Sequence, residues 1–523
     1  LSSEPALTLH QTLTAIDRAG DDERVQGLVV RLAGDTMDTA TAQALHRAIG
    51  GFSGKGKPVI AHASSFGEFG PGTISFAIAS AADTIAVQPG GSIGITGLHA
   101  SVPFAADALA LLGLEADVGR RGQYKTAPEV ATESQMGPAH RDMLQSMTGD
   151  LFHQLVADIA TGRDMTASQV LSLVNQAPLA ASEAQGAGLI DRLVAWQDID
   201  ELLLPLGTRR DELVELSAYY ADVIGEQVQA DHEIALIYAT GVIVEGDTPD
   251  TPFGSDGQMG AEAVAHAITE AVDDPGFAAI ILRVDSGGGS AIASEIIAQA
   301  VDYADEQEKP LIVSMGSAAA SGAYWLSANA TSIVAERATL TGSIGVFAGK
   351  LVTDDLWDRI GVNWESISQG AHAGMFSIQR PFSPSERAKL NSFLDDIYAM
   401  FIERVSAGRG LTPEVVDQIA QGRVWTGAQA FERGLVDRLG GLDAAIDETR
   451  LALNLPVGAS IDAVPYPPAR ELIDRLMDFA GVQDRGEMGL PANLPALADR
   501  LGTLTGITWP TRMAPVVING QLY

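Results

Sequence analysis

The chain has 523 residues and a formal net charge of −34, because 67 acidic residues outnumber 33 basic ones, and it contains no cysteine. Its length exceeds what one hydrophobic core organises, its charge argues against a nucleic-acid partner, and the missing thiols exclude disulfides and thiolate metal sites. The nine histidines show no metal-binding spacing, and no run of about 18 apolar residues is present, so we expect no cofactor and no membrane span in this sequence.

The first half alternates short apolar runs with helical patterns. Residues 25–32 and 59–63 have the length and composition of buried strands, and residues 39–49 between them are typical of a helix. Another strand-like run at 114–118 precedes a long helical pattern at 141–159. This order predicts parallel strands joined by right-handed crossovers in an α/β layer.

The second half repeats that order. Strands are predicted at 234–238, 277–284 and 311–315, and helices at 291–303 and 385–405. A spacing of 246 to 252 residues indicates the duplication of a whole domain. Three motifs show this spacing: Lys-Pro-Val-Ile at 57–60 and Lys-Pro-Leu-Ile at 309–312, Gly-Ser-Ile-Gly at 91–94 and 342–345, and Gly-Leu-Ile-Asp-Arg-Leu at 188–193 and Gly-Leu-Val-Asp-Arg-Leu at 434–439.

The duplication sets the predicted domain boundaries. We assign residues 1–203 to an N-terminal repeat, 204–232 to an interdomain helix and linker, 233–455 to a C-terminal repeat, and 456–523 to a proline-rich, irregular extension. The strand predicted at 234–238 has no counterpart after residue 1. We therefore expect a native N-terminal portion to precede this sequence and to hold a signal or an anchor.

The second repeat carries two motifs that the first lacks. Residues 318–324 crowd small side chains around Ser321 between a strand and a helical run, which gives a nucleophile free access to substrate. Taken alone, such a serine is more often a helix cap or a packing residue. Residues 285–290 (Asp-Ser-Gly-Gly-Gly-Ser) allow backbone N–H groups to approach a ligand, although a tight turn explains them equally well. The first repeat has Phe-Gly-Pro-Gly at 69–72 and Ala-Gly-Asp-Thr-Met at 33–37 instead.

The first repeat carries one motif that the second lacks, Gly-Gln-Tyr-Lys-Thr-Ala at 122–127. Lys125 follows the strand-like run at 114–118, whereas residues 371–373 at the matching place contain no lysine. A lysine acts as a general base when burial lowers its pKa from about 10.4 towards neutrality. For an isolated motif, an exposed surface lysine is the simpler interpretation.

In combination these motifs resemble the signal peptide peptidase A family. The resemblance rests on residues 283–345, on the motif at 122–127, and on Gly-Arg-Val-Trp-Thr-Gly-Ala-Gln-Ala at 422–430. It covers both repeats and implies the long, duplicated form of the family. The implied fold class is α/β, with two tandem Clp protease/crotonase-like domains, each a mainly parallel sheet with flanking helices.

The resemblance implies a role for five residues. Ser321 is the implied nucleophile and Lys125 the implied general base of a Ser-Lys dyad formed between the two halves. The amides of Gly289 and Gly322 are implied to form the oxyanion hole, and Ser343 to orient the lysine. A turn common to both repeats explains Ser343 almost as well, because the repeat without a nucleophile has a serine in the same Gly-Ser-Ile-Gly motif.

Two positions depart from the family pattern. The usual Ser-Pro-Gly-Gly reads Ser-Gly-Gly-Gly at 286–289, which removes the rigidity that proline gives to this loop. Ala323 stands where a second glycine is common.

The implied function is that of a serine endopeptidase for remnant signal peptides and other extended hydrophobic peptides at or near the membrane. The resemblance also implies a homotetramer, held at the cytoplasmic membrane by an N-terminal anchor outside this sequence, with its catalytic body facing the periplasm. Two alternatives stay open. One is a crotonase-like acyl-CoA enzyme, which needs basic residues for the CoA phosphates. The other is a non-catalytic scaffold of the same fold, which needs neither Ser321 nor Lys125.

Overall fold

The computed structural model describes residues 7–35, 37–225, 230–248, 257–456 and 458–468. Most of the extension predicted at 456–523 lies outside these ranges, as do residues 226–229 of the predicted linker. Within the described ranges, no helix combines the length and hydropathy needed to cross a bilayer.

The N-terminal half alternates strands and helices up to residue 225. Three 3₁₀ turns, at Trp196–Asp198, Leu204–Leu206 and Arg210–Glu212, lie near its end. The elements are α1 (Leu9–Asp21), β1 (Leu28–Leu32), α2 (Thr39–Gly54), β2 (Val59–Ala63), α3 (Thr73–Ala79), β3 (Thr84–Val87), β4 (Ser92–Ile93), α4 (Ala106–Leu111), β5 (Glu115–Arg121), α5 (Glu129–Thr132), α6 (Pro138–Gly162), α7 (Ala167–Val174), β6 (Leu179–Ala180), α8 (Ala181–Gly186), β7 (Arg192–Leu193), α9 (Asp200–Leu203) and α10 (Leu216–Gly225).

The C-terminal half repeats the alternation with longer central strands. Its elements are β8 (His232–Thr240), β9 (Val242–Val244), β10 (Gln258–Gly260), α11 (Ala261–Asp273), β11 (Phe277–Ser286), α12 (Ala291–Glu306), β12 (Leu311–Ala320), α13 (Gly322–Ser327), β13 (Ser332–Ala335), β14 (Leu340–Gly342), β15 (Val346–Val352), α14 (Asp354–Ile360), α15 (Pro384–Arg409), α16 (Pro413–Ile419), β16 (Val424–Thr426), α17 (Gly427–Phe431), β17 (Arg438–Leu439), α18 (Leu442–Ala452) and β18 (Ile461–Pro465).

Each half is built on its own mainly parallel sheet. In the N-terminal half, β1, β2, β3 and β7 pair in parallel in that order. In the C-terminal half, the order is β16-β14-β12-β11-β8-β18, and β13 joins β12 to β17. Of these C-terminal pairs, β14–β16 is antiparallel and the others are parallel. The predicted α/β class is therefore confirmed.

Buried apolar side chains on the central strands hold the C-terminal sheet between layers of helices. Ile280 and Leu282 of β11 lie in the main core, whereas Ile281 faces a second core that includes Leu442 of α18. Alternate residues of a strand point to opposite faces, so a continuous apolar run is buried on both sides. The carboxyl ends of these parallel strands meet at one edge, where loops are free to carry polar groups.

One antiparallel strand pair crosses between the halves. All seven residues of β5 pair with β15, from Glu115 opposite Val352 to Arg121 opposite Val346. An ion pair of 2.6 Å between Arg337 and Asp158 also joins the halves. The chain that leaves β5 is thereby held against the C-terminal half.

The structure corrects several predicted boundaries, three of them in strands. The strand predicted at 25–32 begins only at Leu28, and the strand predicted at 311–315 continues to Ala320 because its last three residues pair with β14. Part of the extension predicted to be irregular is a strand, since Ile461–Pro465 pairs with β8 at the edge of the sheet. Pro465 ends this edge strand, where a missing N–H is tolerated.

Candidate active site

Ser321 lies in a strained turn at the carboxyl edge of the C-terminal sheet. It joins β12 to α13 with φ of 57° and ψ of −121°, a conformation that a residue with a side chain rarely adopts. Its N–H donates to Gly342 O at 2.8 Å, which fixes the turn from the neighbouring strand. The small residues noticed in the sequence are needed here, because a Cβ on Gly322 would lie 2.2 Å from Ser294 Oγ.

Lys125 reaches this serine from the N-terminal half. Its Nζ lies 2.9 Å from Ser321 Oγ, 2.8 Å from Ser343 O and 3.0 Å from Ser343 Oγ. A neutral amine has two N–H groups and one lone pair. Its N–H groups can donate to the two Ser343 oxygens while the lone pair accepts the Ser321 hydroxyl proton. The two side chains meet within one chain.

The surroundings of the amine favour that neutral form. Lys125 is only 5% exposed, and burial lowers the pKa of its amine to about 7. Desolvation is the cause of the shift, and no anion of the described ranges offsets it. An amine with this pKa is available as a base near neutral pH.

Ser343 differs from its counterpart in the first repeat. Ser343 adopts a positive φ of 51° and directs both its carbonyl and its hydroxyl to Lys125 Nζ. Ser92 has no such conformation, and its hydroxyl lies 2.9 Å from Ser65 Oγ. The same four-residue motif therefore supports two different arrangements, and only the second repeat turns it towards a lysine.

The glycine loop at 287–289 lies directly against the serine turn. A Cβ on Gly322 would lie 3.3 Å from Gly289 N, so the two amides predicted to form an oxyanion hole are close neighbours. Neither amide has a hydrogen-bond partner in the described chain. Gly288 has a φ of 102°, and a Cβ there would lie 2.8 Å from Gly322 N. Glycine is required by the close approach of these two backbones.

Side chains beside the loop restrain it where the family proline is missing. Ser286 is buried, and its Oγ accepts a hydrogen bond of 3.0 Å from Gly288 N. The backbone of Ile243 in β9 also holds the loop. Its N–H donates to Gly288 O at 3.1 Å, and its carbonyl oxygen accepts a hydrogen bond of 3.0 Å from Ser290 N. The Asp285 carboxylate accepts from the Ser317 hydroxyl at 2.7 Å, which ties β11 to β12 just ahead of the serine turn.

In the first repeat the corresponding place is closed by an internal carboxylate. Asp35 accepts hydrogen bonds from Ser75 N at 2.8 Å and from Ile74 N at 3.1 Å. These amides begin α3, which corresponds to α13 of the second repeat. The first repeat thus lacks the serine. Its Asp35 carboxylate also occupies the position beside the helix that the glycine loop leaves open in the second repeat.

Sequence reasoning missed a segment that contacts both motifs of the site. Residues 421–423 accept a hydrogen bond from Tyr124 N and another from Ser343 N, each of 2.7 Å. In the sequence, residues 422 and 423 appear only as the start of the motif at 422–430, and Gln421 lies outside it. The contact with Tyr124 joins positions some 300 residues apart, and neither contact could be found from spacing.

Comparisons with known proteins agree with the duplication. The model of Peptidase family S49 matches residues 52–204 and again 303–455. Protease 4 of Haemophilus influenzae is 32% identical over 522 residues, which cover 95% of this chain and 82% of that protein. Protease 4 of Salmonella typhi is 31% identical over 84% of this chain and 71% of its own length. The chloroplastic serine protease SPPA of Arabidopsis thaliana is 27% identical over 96% of this chain and 73% of its own length.

Among solved structures, a ClpP1 mutant from Listeria monocytogenes covers 40% of this chain and 94% of its own. Its TM-score of 0.26 and 10% identity are too low to support a conclusion. The predicted tandem duplication is confirmed by the two family matches. The three relatives named above are proteases and not acyl-CoA enzymes. The chain belongs to peptidase family S49 and is a serine peptidase.

Proposed function

We propose that this peptidase cleaves peptide bonds with a Ser-Lys dyad, in which Ser321 is the nucleophile and Lys125 the general base. The observation that carries the proposal is the distance of 2.9 Å between Lys125 Nζ and Ser321 Oγ. Burial adds to it, because only a desolvated amine is neutral near pH 7. Ser343 holds the amine so that its lone pair faces the hydroxyl.

Acylation follows from these positions. Ser321 Oγ forms a bond to the carbonyl carbon of the peptide, and its proton moves to Lys125 Nζ. The carbonyl oxygen becomes an oxyanion that accepts hydrogen bonds from the amides of Gly289 and Gly322. When the C–N bond breaks, the ammonium returns its proton to the leaving nitrogen, and an ester on Ser321 remains.

Deacylation repeats the sequence with water. Lys125 takes a proton from the water molecule as its oxygen bonds to the ester carbon. The bond to Ser321 Oγ then breaks, and the proton passes from Nζ to the serine. The carboxylic acid product leaves, and the amine is neutral again, so no cofactor is consumed.

Apolar surface beside the glycine loop supports an extended, apolar peptide as substrate. Val242 is 55% exposed and precedes Ile243, which is bonded to the loop, and Ile292 is 57% exposed three residues after Gly289. A peptide strand beside the loop would bring its side chains to these positions. Remnant signal peptides fit this chemistry. We include in the proposal a homotetramer at the cytoplasmic membrane, with its catalytic body facing the periplasm and an N-terminal anchor.

The dyad predicts a specific pH dependence. Because the pKa of Lys125 is lowered to about 7, kcat/KM for a fluorogenic signal-peptide sequence should rise with pH through an acid limb near 7 and level off above it. Below that pH the amine is protonated and cannot accept the serine proton. A polar peptide of the same length should be cleaved more slowly if the substrate proposal is right.

The Ser321→Ala variant is the control for this measurement. A labelled fluorophosphonate should react with the wild type and not with this variant. A rate that is flat between pH 5.5 and 8.5, or a variant that is still labelled, would contradict the dyad. An unlabelled wild type that binds peptides without cleaving them would favour the scaffold alternative.

The loop restraint gives a second, smaller prediction. Ser286→Ala removes the hydroxyl that accepts from Gly288 N and should lower kcat about 5-fold with little change in KM, because about 1 kcal/mol of loop restraint is lost. The oxyanion donor Gly289 follows in the same loop.

Gly287→Pro in the Ser286→Ala background is the matched rescue. A Cβ at residue 287 meets no heavy atom within 4 Å, and Ser286 is in the strand conformation that proline prefers before it. The double variant should regain most of the lost kcat. An unchanged kcat in Ser286→Ala, or a proline that restores nothing, would refute this role of Ser286.

A further inference from the structure

Residues 421–423 lie between the two turns that form the dyad, and we call this segment the clamp. Tyr124 N donates to Gln421 O, Gly422 N donates to Ile344 O, and Ser343 N donates to Arg423 O, each at 2.7 Å. The clamp thus makes backbone hydrogen bonds next to Lys125 on one side and at Ser343 on the other. Both turns that bring groups to the amine are fastened to one piece of backbone.

The contact leaves no room for a side chain. Gly422 has a φ of 77°, and a Cβ on it would lie 2.4 Å from Lys125 N. From the opposite side, a Cβ on Gly122 would lie 2.4 Å from the Gln421 carbonyl carbon. The two backbones are packed directly on each other, which excludes water from the base of the lysine side chain.

The Arg423 side chain fastens the clamp to the lysine turn. Its guanidinium lies 4.5 Å from the centre of the Tyr124 ring, one residue before the lysine, and 2.5 Å from an Asp142 oxygen. The same Asp142 oxygen accepts from Tyr124 OH at 3.3 Å. Arg423 is 13% exposed, and its Nε is buried without a partner in the described chain. A buried N–H without an acceptor lowers the free energy of unfolding. The contacts of the same guanidinium with Tyr124 and Asp142 offset this loss.

Other charged groups near the lysine turn are paired among themselves. Arg120 donates to Lys125 O at 3.3 Å and to Glu129 at 2.8 Å, and His140 Nδ1 lies 2.9 Å from Glu129. Of these side chains, Arg120 contacts the backbone of the turn, and none is bonded to Nζ. The clamp therefore acts on the amine by packing against the lysine turn and excluding water, and not through a charge.

We propose that Arg423 is a positioning residue, which keeps the Lys125 amine desolvated and in line with Ser321 by pressing the lysine turn onto the clamp. The inference rests on the proposed dyad. If the contact over Tyr124 loosens, water reaches Nζ, the protonated form becomes more stable, and the base is lost at neutral pH.

The test is the pH profile of kcat/KM for Arg423→Gln. Its acid limb should move up by about one pH unit, so that the rate falls about 10-fold at pH 6.5 and approaches the wild-type rate near pH 9. A variant that was merely less well folded would lose the same fraction of activity at every pH. Arg423→Lys, which keeps the charge, should regain part of the shift.

Arg433→Gln is the matched control. Both arginines lie over the Trp425 ring, Arg423 at 4.6 Å and Arg433 at 3.8 Å from its centre. Arg433 donates to Gln429 O and makes no described contact with the lysine turn. Its acid limb should stay at the wild-type position.

Asp142→Asn changes the exposed end of the contact between Arg423 and Asp142, so this variant should fold. Its acid limb should shift in the same direction as that of Arg423→Gln, by a smaller amount.

The outcomes separate the two proposals. A wild type without an acid limb near pH 7 removes the dyad itself. A wild type with that limb, together with an unmoved limb in both Arg423→Gln and Asp142→Asn, overturns only the positioning role of Arg423.

Discussion

Replacing Lys125 with methionine is expected to lower kcat/KM by about 10³-fold or more, because the variant keeps the nucleophile and loses the base that activates it. Methionine fills nearly the same buried space without a proton acceptor. Among the residues that the structure describes, the Ser321 hydroxyl then has no group within hydrogen-bonding reach that takes its proton. Hydrolysis of the fluorogenic peptide at pH 8 measures the effect.

The same variant should be at least as stable as the wild type. At pH 8 the amine would be protonated in the unfolded chain and is neutral in the folded one, which lowers the free energy of unfolding by roughly 3 kcal/mol. Methionine removes this penalty, so the thermal midpoint should stay level or rise. An inactive variant that is also unfolded would leave the fold, and not the base, as the explanation.

Lys309→Met provides the matched control. Lys309 precedes β12, whereas Ser321 follows it, so the two residues lie at opposite ends of one strand. Its Nζ donates to Ala271 O and Asp274 O. This variant should keep its activity. Equal losses in the two lysine variants would contradict a specific role for Lys125.

Gly289→Ala is expected to lower kcat about 10²-fold, the second largest effect. A Cβ at this position would lie 2.1 Å from Ile243 O, a contact that backbone atoms cannot relieve without moving. The loop would shift, and the Gly289 amide would leave the position from which it can donate to the oxyanion. KM should change little, because the amide acts on charge that develops only in the transition state.

Gly287→Ala, two residues away, separates this effect from a general intolerance of the loop. A Cβ at residue 287 meets no heavy atom within 4 Å, and its backbone is outside the left-handed region. Alanine there should leave kcat close to that of the wild type. If both alanine variants lost activity equally, the oxyanion role of Gly289 would not be supported.

Local composition and internal comparison singled out the motifs that carry Ser321 and Lys125, and the family resemblance then implied their roles. Ser321 was visible because small residues surround it, and Lys125 because the second repeat lacks a lysine at the matching place. Ser343 was ambiguous for a physical reason. Its motif is identical to that of Ser92, and the difference lies in a positive φ and in the partner of the hydroxyl.

Apart from the dyad, which the family resemblance implied, the contacts between the halves could not be predicted. The strand patterns of β11 and β12 follow from apolar runs, which depend on neighbouring residues alone. The pairing of β5 with β15 joins segments more than 200 residues apart, and nothing in the composition of either specifies the partner. The clamp is a contact of the same kind, since Gln421 meets a turn near residue 124.

The strand pair between β5 and β15 also has a consequence for assembly. Neither half holds both members of the proposed dyad, so the two side chains can meet only after the second half has been made and β15 has paired with β5. A hydrolase whose site forms between two halves in this way is expected to be inactive while its own chain is unfolded and most open to cleavage.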